Sequence, residues 1–240
     1  MTGFTLILPV YNEEESLRRN VAMIHDYLTG IALPGAFEIM LCCNGCTDSS
    51  EAISSELARE RPGVRYISIA GRGLGRAIKE GVFSASYDTV MFYAVDLPFG
   101  LSVIGDSIRA AMERDNTVVI GSKGHRDSRV RRGFMRTAFS ASISLLNNLF
   151  FGLGVKDTQG SILFYRAPLL KYWELMDSPG PFFQTQILIY SKMNGLNLME
   201  IPVELTRELR KTRFSLASDG LEYVFSIFRE SAKVKRHGIR

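Results

Sequence analysis

Four polar loops in the first hundred residues carry side chains suited to a phosphorylated ligand. Tyr11-Asn12-Glu13 follows the apolar run Phe4 to Val10, and Asn44-Gly45 follows Phe37 to Cys42. Gly71-Arg72-Gly73-Leu74-Gly75-Arg76-Ala77 follows Val64 to Ile69, and Asp96 follows Thr89 to Val95. Glycines let the backbone approach a ligand closely, and the amides at a helix start favour anions. A glycine-rich turn without a ligand fits the third loop as well, and a dinucleotide fingerprint would follow the first strand rather than the third. Asp96 ends an apolar run, where a carboxylate adds nothing to a core. It suits a divalent cation, Mg or Mn, that bridges a diphosphate, since magnesium takes few protein ligands. An Asp ahead of Leu97-Pro98 also suits a turn.

A second set of residues is cationic. Lys123, Arg129, Arg131 and Arg132, with Arg126 and Arg136, precede the apolar segment Phe139 to Phe151. Arginines suit phosphate groups and anionic head groups, and the adjoining apolar helix suits a lipid chain, a pattern compatible with a lipid phosphate at an anionic membrane surface. A solvated loop beside a core helix accounts for the same pattern. The cluster from Arg207 to Arg213 either reaches a donor diphosphate or is ordinary surface.

These residues need a frame. Strands are expected at Phe4 to Val10, Phe37 to Cys42, Val64 to Ile69, Thr89 to Val95 and Thr117 to Gly121. Helices at Glu13 to Leu28, Thr47 to Arg61, Leu74 to Ser84 and Val103 to Glu113 alternate with them. Such alternation implies right-handed crossovers and a mainly parallel sheet flanked by helices, an α/β fold. The four loops then meet at the carboxyl rim of the sheet, where open α/β sheets bind ligands. Farther on, Phe139 to Phe151 reads as a helix, Ser161 to Tyr165 and Leu198 to Leu205 as strands around a helix near Gln184 to Met193. Leu221 to Arg240 reads as an amphipathic, basic C-terminal helix.

The 240 residues, 46% hydrophobic and 22% charged with a net charge of +4, suffice for one sizeable domain. Cys42, Cys43 and Cys46 crowd one segment, and His25, His125 and His237 lack ligand spacing, so neither a disulfide framework nor a zinc site is expected. No leader and no run of about 18 apolar residues is seen. The expected location is cytoplasmic, peripheral at the inner membrane face. Nothing resembles a recognition helix or an aromatic single-strand platform, so no nucleic acid is expected.

Leu8-Pro9-Val10-Tyr11-Asn12-Glu13-Glu14 resembles the opening motif of the family 2 glycosyltransferases. Gly73-Leu74-Gly75-Arg76-Ala77 through Gly81, and its distance from Asp96, resemble their second glycine motif and metal motif. Asp157-Thr158-Gln159, Phe182-Phe183-Gln184 and Glu200-Ile201-Pro202-Val203 are similar to the dolichyl-phosphate mannose and glucose synthase branch. The resemblance implies a GT-A-type nucleotide-binding fold in one domain, 1–240. A nucleotide-sugar half spans about 1–122, an acceptor half about 123–215 and a basic C-terminal helix 216–240. It implies sugar transfer from a nucleotide sugar to a polyprenyl or dolichyl phosphate. Pro9, Tyr11, Glu13, Asn44, Gly73, Gly75, Ala77 and Asp96 would line the donor site. Asp96 would hold the Mg or Mn ion, Asp157 would orient or deprotonate the acceptor, and Lys123, Arg129, Arg131 and Arg132 would hold its phosphate.

The chain departs from the pattern at four places. Ala94 replaces the first Asp of the metal motif, and Cys43-Asn44-Gly45-Cys46 replaces Asp-Asp-Gly-Ser. Gly160-Ser161-Ile162 replaces Cys-Gly-Phe, and Gln186 replaces a helical Glu. Two other readings therefore stand beside the first. One is a non-catalytic nucleotide-binding relative that partners a membrane-anchored protein. The other is a transferase with a polysaccharide acceptor.

Overall fold

A computed structural model describes residues 3–130, 133–205 and 218–237. The strands are β1 (Gly3–Val10), β2 (Ala36–Asn44), β3 (Val64–Ile69), β4 (Thr89–Phe92), β5 (Thr117–Ser122), β6 (Ser161–Tyr165) and β7 (Asn197–Pro202). The helices are α1 (Leu17–Gly30), α2 (Ser50–Glu60), α3 (Leu74–Ser84), α4 (Ser102–Glu113), α5 (Phe134–Phe151), α6 (Phe182–Met193) and α7 (Ser218–Arg236), with a 3-10 turn at Ala167–Tyr172. Arg131, Arg132 and the Arg207 to Arg213 cluster lie outside the described residues.

The strands form a single seven-stranded sheet, order β3-β2-β1-β4-β6-β5-β7. All pairings are parallel except those of β6, which runs antiparallel to β4 and β5. Successive side chains of a strand face opposite sides of the sheet. Ile7, Met40, Val90, Phe92 and Ile120 accordingly pack under α3, α5, α6 and α7. Leu6, Leu8, Ile39, Leu41 and Met91 pack under α1, α2 and α4. With both faces covered, the strands read as continuous apolar runs. The chain winds from β1 out to β3, then crosses to β4 on the other side of β1. That reversal opens a crevice at the strand ends, between the loop after β1 and the loop after β4.

Several boundaries differ from expectation: α5 starts at Phe134 rather than Phe139, β7 ends at Pro202 rather than Leu205, and two further shifts fall beside the crevice. The first helix starts at Leu17 rather than Glu13, and the Glu13 and Glu14 amides donate to Ser50 Oγ (2.7 Å) and Asp48 Oδ2 (3.2 Å) at the start of α2. β4 ends at Phe92 rather than Val95, because a turn closes from Ala94 to Leu97. Its Leu97 amide donates to the Ala94 carbonyl at 3.1 Å, and Leu97 adopts φ 53°.

The second half of the chain is tied to the first by a backbone contact. The Gly75 amide donates to the Pro179 carbonyl at 2.9 Å. A Cβ on Gly75 would stand 2.2 Å from the Ser178 carbonyl oxygen. Both glycine-loop and 178–180 backbones are therefore in direct contact, which no larger residue permits. Gly75→Ala is expected to destabilise the protein by about 1–3 kcal/mol, read as a lower urea midpoint. An unchanged midpoint would show that the two segments separate without cost.

Candidate functional site

The rim formed by the loops after β1, β2 and β3 is held together by Asn44, the buried last residue of β2. Its Nδ2 donates to the Val10 carbonyl (2.7 Å), and its Oδ1 accepts the Gly73 amide (3.2 Å). The side chain thus joins the loops after β1, β2 and β3. An ionised Asp, the residue the family pattern leads one to expect, accepts hydrogen bonds but cannot donate to Val10. Asn12, at φ 54°, adds a reciprocal clasp: its Nδ2 donates to Thr47 Oγ1 (3.0 Å) and its Oδ1 accepts the Thr47 amide (2.8 Å). Above this platform the Arg72 guanidinium lies 4.7 Å from the centre of the Tyr11 ring, a cation–π contact across the two loops.

The expected donor residues divide by position. Pro9, Tyr11 and Glu13 are half-buried at the rim, and Glu13 Oε2 accepts from Ser16 Oγ at 3.0 Å. Gly73 spends its amide on Asn44, and Gly75 spends its amide on Pro179. Ala77 is fully buried in the core between α3 and the sheet, away from the rim. The helical period explains this: three residues past the start of α3 the chain has already turned inward. Burial pushes the Cys42 thiol up and takes that of Cys43 to about 12, so both stay protonated core groups.

At the end of β4, Asp96 is half-buried and Ala94 is exposed. Among the described residues no three His, Cys, Asp or Glu side chains converge to hold a metal ion. One carboxylate with the oxygens of a diphosphate meets the needs of magnesium, which otherwise keeps water. Asp96 fits the part of the single protein carboxylate in such a set.

Asp157 forms the centre of a second polar cluster, beside the end of β5. Its Oδ2 is 2.8 Å from Lys123 Nζ and accepts the Lys123 amide at 2.9 Å, while its Oδ1 accepts the Gln159 amide at 2.9 Å. Burial alone would raise this carboxyl, but the Lys123 ammonium and the two amides outweigh it and hold Asp157 below the ordinary carboxylate range. Lys123 is committed to Asp157 and to the Gln159 carbonyl (2.8 Å). Glu200 on β7 fixes the loop from below, its Oε1 accepting the Lys156 and Asp157 amides at 2.9 and 3.1 Å. Gly160 lets the loop lie on β5, where an added Cβ would meet the Gly121 oxygen at 1.9 Å. Arg129 stands exposed nearby, its backbone bridged to β7's exit through Val203 (2.9 Å) and Leu205 (3.0 Å).

Sequence reasoning missed Glu230 and Lys233 on α7. Glu230 is fully buried, accepting from Tyr190 OH (2.6 Å) and Gln186 Nε2 (2.8 Å). Lys233 Nζ reaches Glu230 (3.1 Å), Asp177 (2.7 Å) and the Leu175 carbonyl (2.7 Å). Gln186 also accepts the Ser178 amide at 3.1 Å. A Glu at 186 would set two carboxylates face to face; the amide satisfies both neighbours instead. Tyr223, also on α7, meets Thr158 at 2.9 Å. α7 thus braces both the 175–180 segment and the Asp157 loop. The only signal for this in the sequence is a Glu–Lys pair three residues apart, which surface helices carry routinely.

This fold, a sheet with its crevice at the strand ends, is the GT-A fold of glycosyltransferases. The profile of Glycosyl transferase family 2 matches residues 5–182, and the chain belongs to that family. The chain is 24% identical over 202 residues to the glycosyltransferase AglD of Haloferax volcanii, covering 83% of this chain and 32% of that protein. It therefore spans about a third of the archaeal relative. It is 24% identical to the dolichyl-phosphate beta-glucosyltransferase of Saccharomyces cerevisiae (95% of this chain, 77% of that one). It is 27% identical to the polyprenol monophosphomannose synthase of Mycolicibacterium smegmatis (88% and 80%). Among solved structures, glucosyl-3-phosphoglycerate synthase from Mycobacterium tuberculosis, in complex with UDP, superposes with TM-score 0.69 at 15% identity, covering 96% of this chain and 80% of that one. Another structure of that synthase holds Mn2+, UDP and phosphoglyceric acid.

The lowered Asp157 carboxyl has a pH consequence. A depressed folded-state value stabilises the fold fully above the ordinary Asp value of 3.8, and the contribution is lost as pH falls through the folded value. Asp157→Asn is expected to flatten the loss of stability below that pH, seen in urea midpoints between pH 2 and 6. Lys123→Met, which strands a buried carboxylate, should cost about 3–5 kcal/mol at neutral pH. Wild-type midpoints in the Lys123 variant would mean that the pair is not coupled.

Proposed function

We propose that this chain transfers a sugar from a nucleotide-sugar donor to a polyprenyl phosphate at a membrane surface. The carrying observation is the crevice at the sheet's reversal, with Tyr11, Arg72 and Asp96 on its donor side and the Asp157–Lys123 pair beyond β6. The yeast and mycobacterial relatives, whose names give lipid-phosphate acceptors, support the acceptor class, and the UDP-bound neighbours support the donor class.

In this proposal the donor diphosphate lies across the mouth of the crevice, between the loops after β1 and β4. Pro9, Tyr11 and Glu13 line the nucleotide, over the platform that Asn44 and Gly73 build. Asp96 would hold a Mg or Mn ion, which supplies charge neutralisation at the leaving diphosphate. Arg72 brings a cation to the same rim. Asp157, held anionic by Lys123, is a weak base at neutral pH. A phosphate acceptor is already ionised there, so Asp157 and Lys123 serve to orient it, and catalysis is mainly positioning and charge stabilisation. Arg129, with Arg131 and Arg132, meets the acceptor phosphate. No helix among the described residues is long and apolar enough to cross a membrane. The chain works at a cytoplasmic membrane face as a peripheral protein. Ala94 favours a second reading, a nucleotide-binding partner of a membrane protein that performs no transfer, since it removes one carboxylate from the metal motif.

The deciding experiment is calorimetric titration with UDP and GDP, each with and without manganese, followed by transfer to a short-chain polyprenyl phosphate. Metal-dependent binding of one nucleotide and transfer from its sugar are expected. Asp96→Asn should weaken the metal-dependent binding at least tenfold, about 1.4 kcal/mol, with the fold intact. Binding without transfer would favour the non-catalytic partner, and no binding of either nucleotide would sink the donor site.

A further inference from the structure

α5 and α7 lie side by side on one flank of the molecule. Phe139 of α5 abuts Gly220 of α7, Asn147 Nδ2 donates to Tyr223 OH at 3.4 Å, and the Phe150 and Phe228 rings meet edge-to-face at 5.1 Å. Their inner faces are full. Ile143 and Asn147 on α5, and Tyr223, Ile227 and Glu230 on α7, are buried. Their outer faces are apolar. Leu145 and Leu149 are 69% and 75% exposed, and Leu221, Phe225 and Phe228 are 62%, 70% and 51% exposed. The two helices supply more than half of the large apolar side chains that stand exposed among the described residues. Clustered exposure of this kind marks an interaction surface.

The buried side of α7 removes the simplest alternative. Glu230 is held by Tyr190 and Gln186, and Lys233 by Asp177, so the helix cannot roll to take its phenylalanines inward without stranding a buried carboxylate. The apolar stripe belongs to the folded state.

Charge identifies the occupant. The exposed stretch of α5 from 137 to 149 carries no charged residue. Among the described side chains, the outer face of α7 exposes Glu222 near its start, Arg229 in its middle, and Lys235 and Arg236 at its end. An apolar centre with a cationic margin is the composition of a helix that lies in a bilayer interface. A symmetric dimer would press this patch against itself and bring its basic ends to the same interface. An anionic leaflet matches both parts.

We propose that the outer face of α5 and α7 is the membrane-docking surface, with Leu145, Leu149, Leu221 and Phe225 entering the leaflet and Lys235 and Arg236 resting on anionic head groups. This rests on the membrane-bound acceptor proposed above. Because α7 also braces the 175–180 segment and the Asp157 loop, docking would fix the acceptor side of the crevice relative to the lipid surface.

The test is flotation of the protein with vesicles of phosphatidylcholine, with and without phosphatidylglycerol. Wild type is expected to float with the anionic vesicles. Leu221→Ser/Phe225→Ser and, separately, Leu145→Ser/Leu149→Ser should each lower the partition coefficient at least tenfold. Lys235→Glu/Arg236→Glu should abolish the preference for the anionic lipid. All substituted side chains are exposed, so circular dichroism and thermal unfolding should match wild type. Equal flotation by both apolar variants would overturn the proposal. So would a wild-type dimer that the apolar variants convert to monomer, since a second copy would then be the occupant. Titration with UDP and GDP reads the donor site independently: loss of flotation with nucleotide binding retained supports the surface, whereas retained flotation refutes it whatever the nucleotide result.

Discussion

The side chain of Asn44 is the interaction on which the arrangement of the loops after β1, β2 and β3 depends. Three loops leave three parallel strands side by side, and nothing in the ladder fixes their tips relative to one another. A buried amide that donates to the first loop and accepts from the third does so with two hydrogen bonds. Leaving either partner unsatisfied in a buried position costs about 1–3 kcal/mol, so the loops move as a unit. The glycine loop is then pressed from its other side by the 178–180 backbone. Gly73 and Gly75 serve this double contact first.

The departures from the family's carboxylates have separate physical contexts. Asn44 stands where a donor is required. Gln186 stands opposite Glu230, so its neutrality avoids a second buried charge and its two ends serve two neighbours. Ala94 is exposed at the rim, and nothing in the structure explains that substitution. The carboxylate that remains in the loop before β6, Asp157, is compensated by an ammonium and two amides. At 186 a charge is absent where it would face Glu230, and at 157 one is kept where it is paired with Lys123.

The same economy links the core to the surface. α7 buries one carboxylate and one tyrosine, and with them sets which of its faces is left outside. Its exposed leucine and phenylalanine residues are therefore a consequence of how its inner face is locked. One helix then touches both the segment that supports the glycine loop and the loop that carries Asp157.

The sequence by itself determined the alternation of strands and helices, the parallel character of most of the sheet and the convergence of Tyr11, Asn44, Gly73 and Asp96 on one rim. Periodicity and local turn chemistry are enough for these, since each is written in a few adjacent residues. Tertiary structure decided what those residues do with their hydrogen bonds. That Asn44 braces loops, that Gly75 exists for a carbonyl a hundred residues away, and that Lys123 is committed to Asp157 are all contacts between distant segments. The early end of β4 has a local origin, the turn from Ala94 to Leu97, whereas the loop ahead of α1 is held by side chains of the 48–50 segment. Glu230 was illegible for the plainest reason. A charged residue on an amphipathic helix faces solvent by default, and only packing against α6 makes it the buried anchor of that helix.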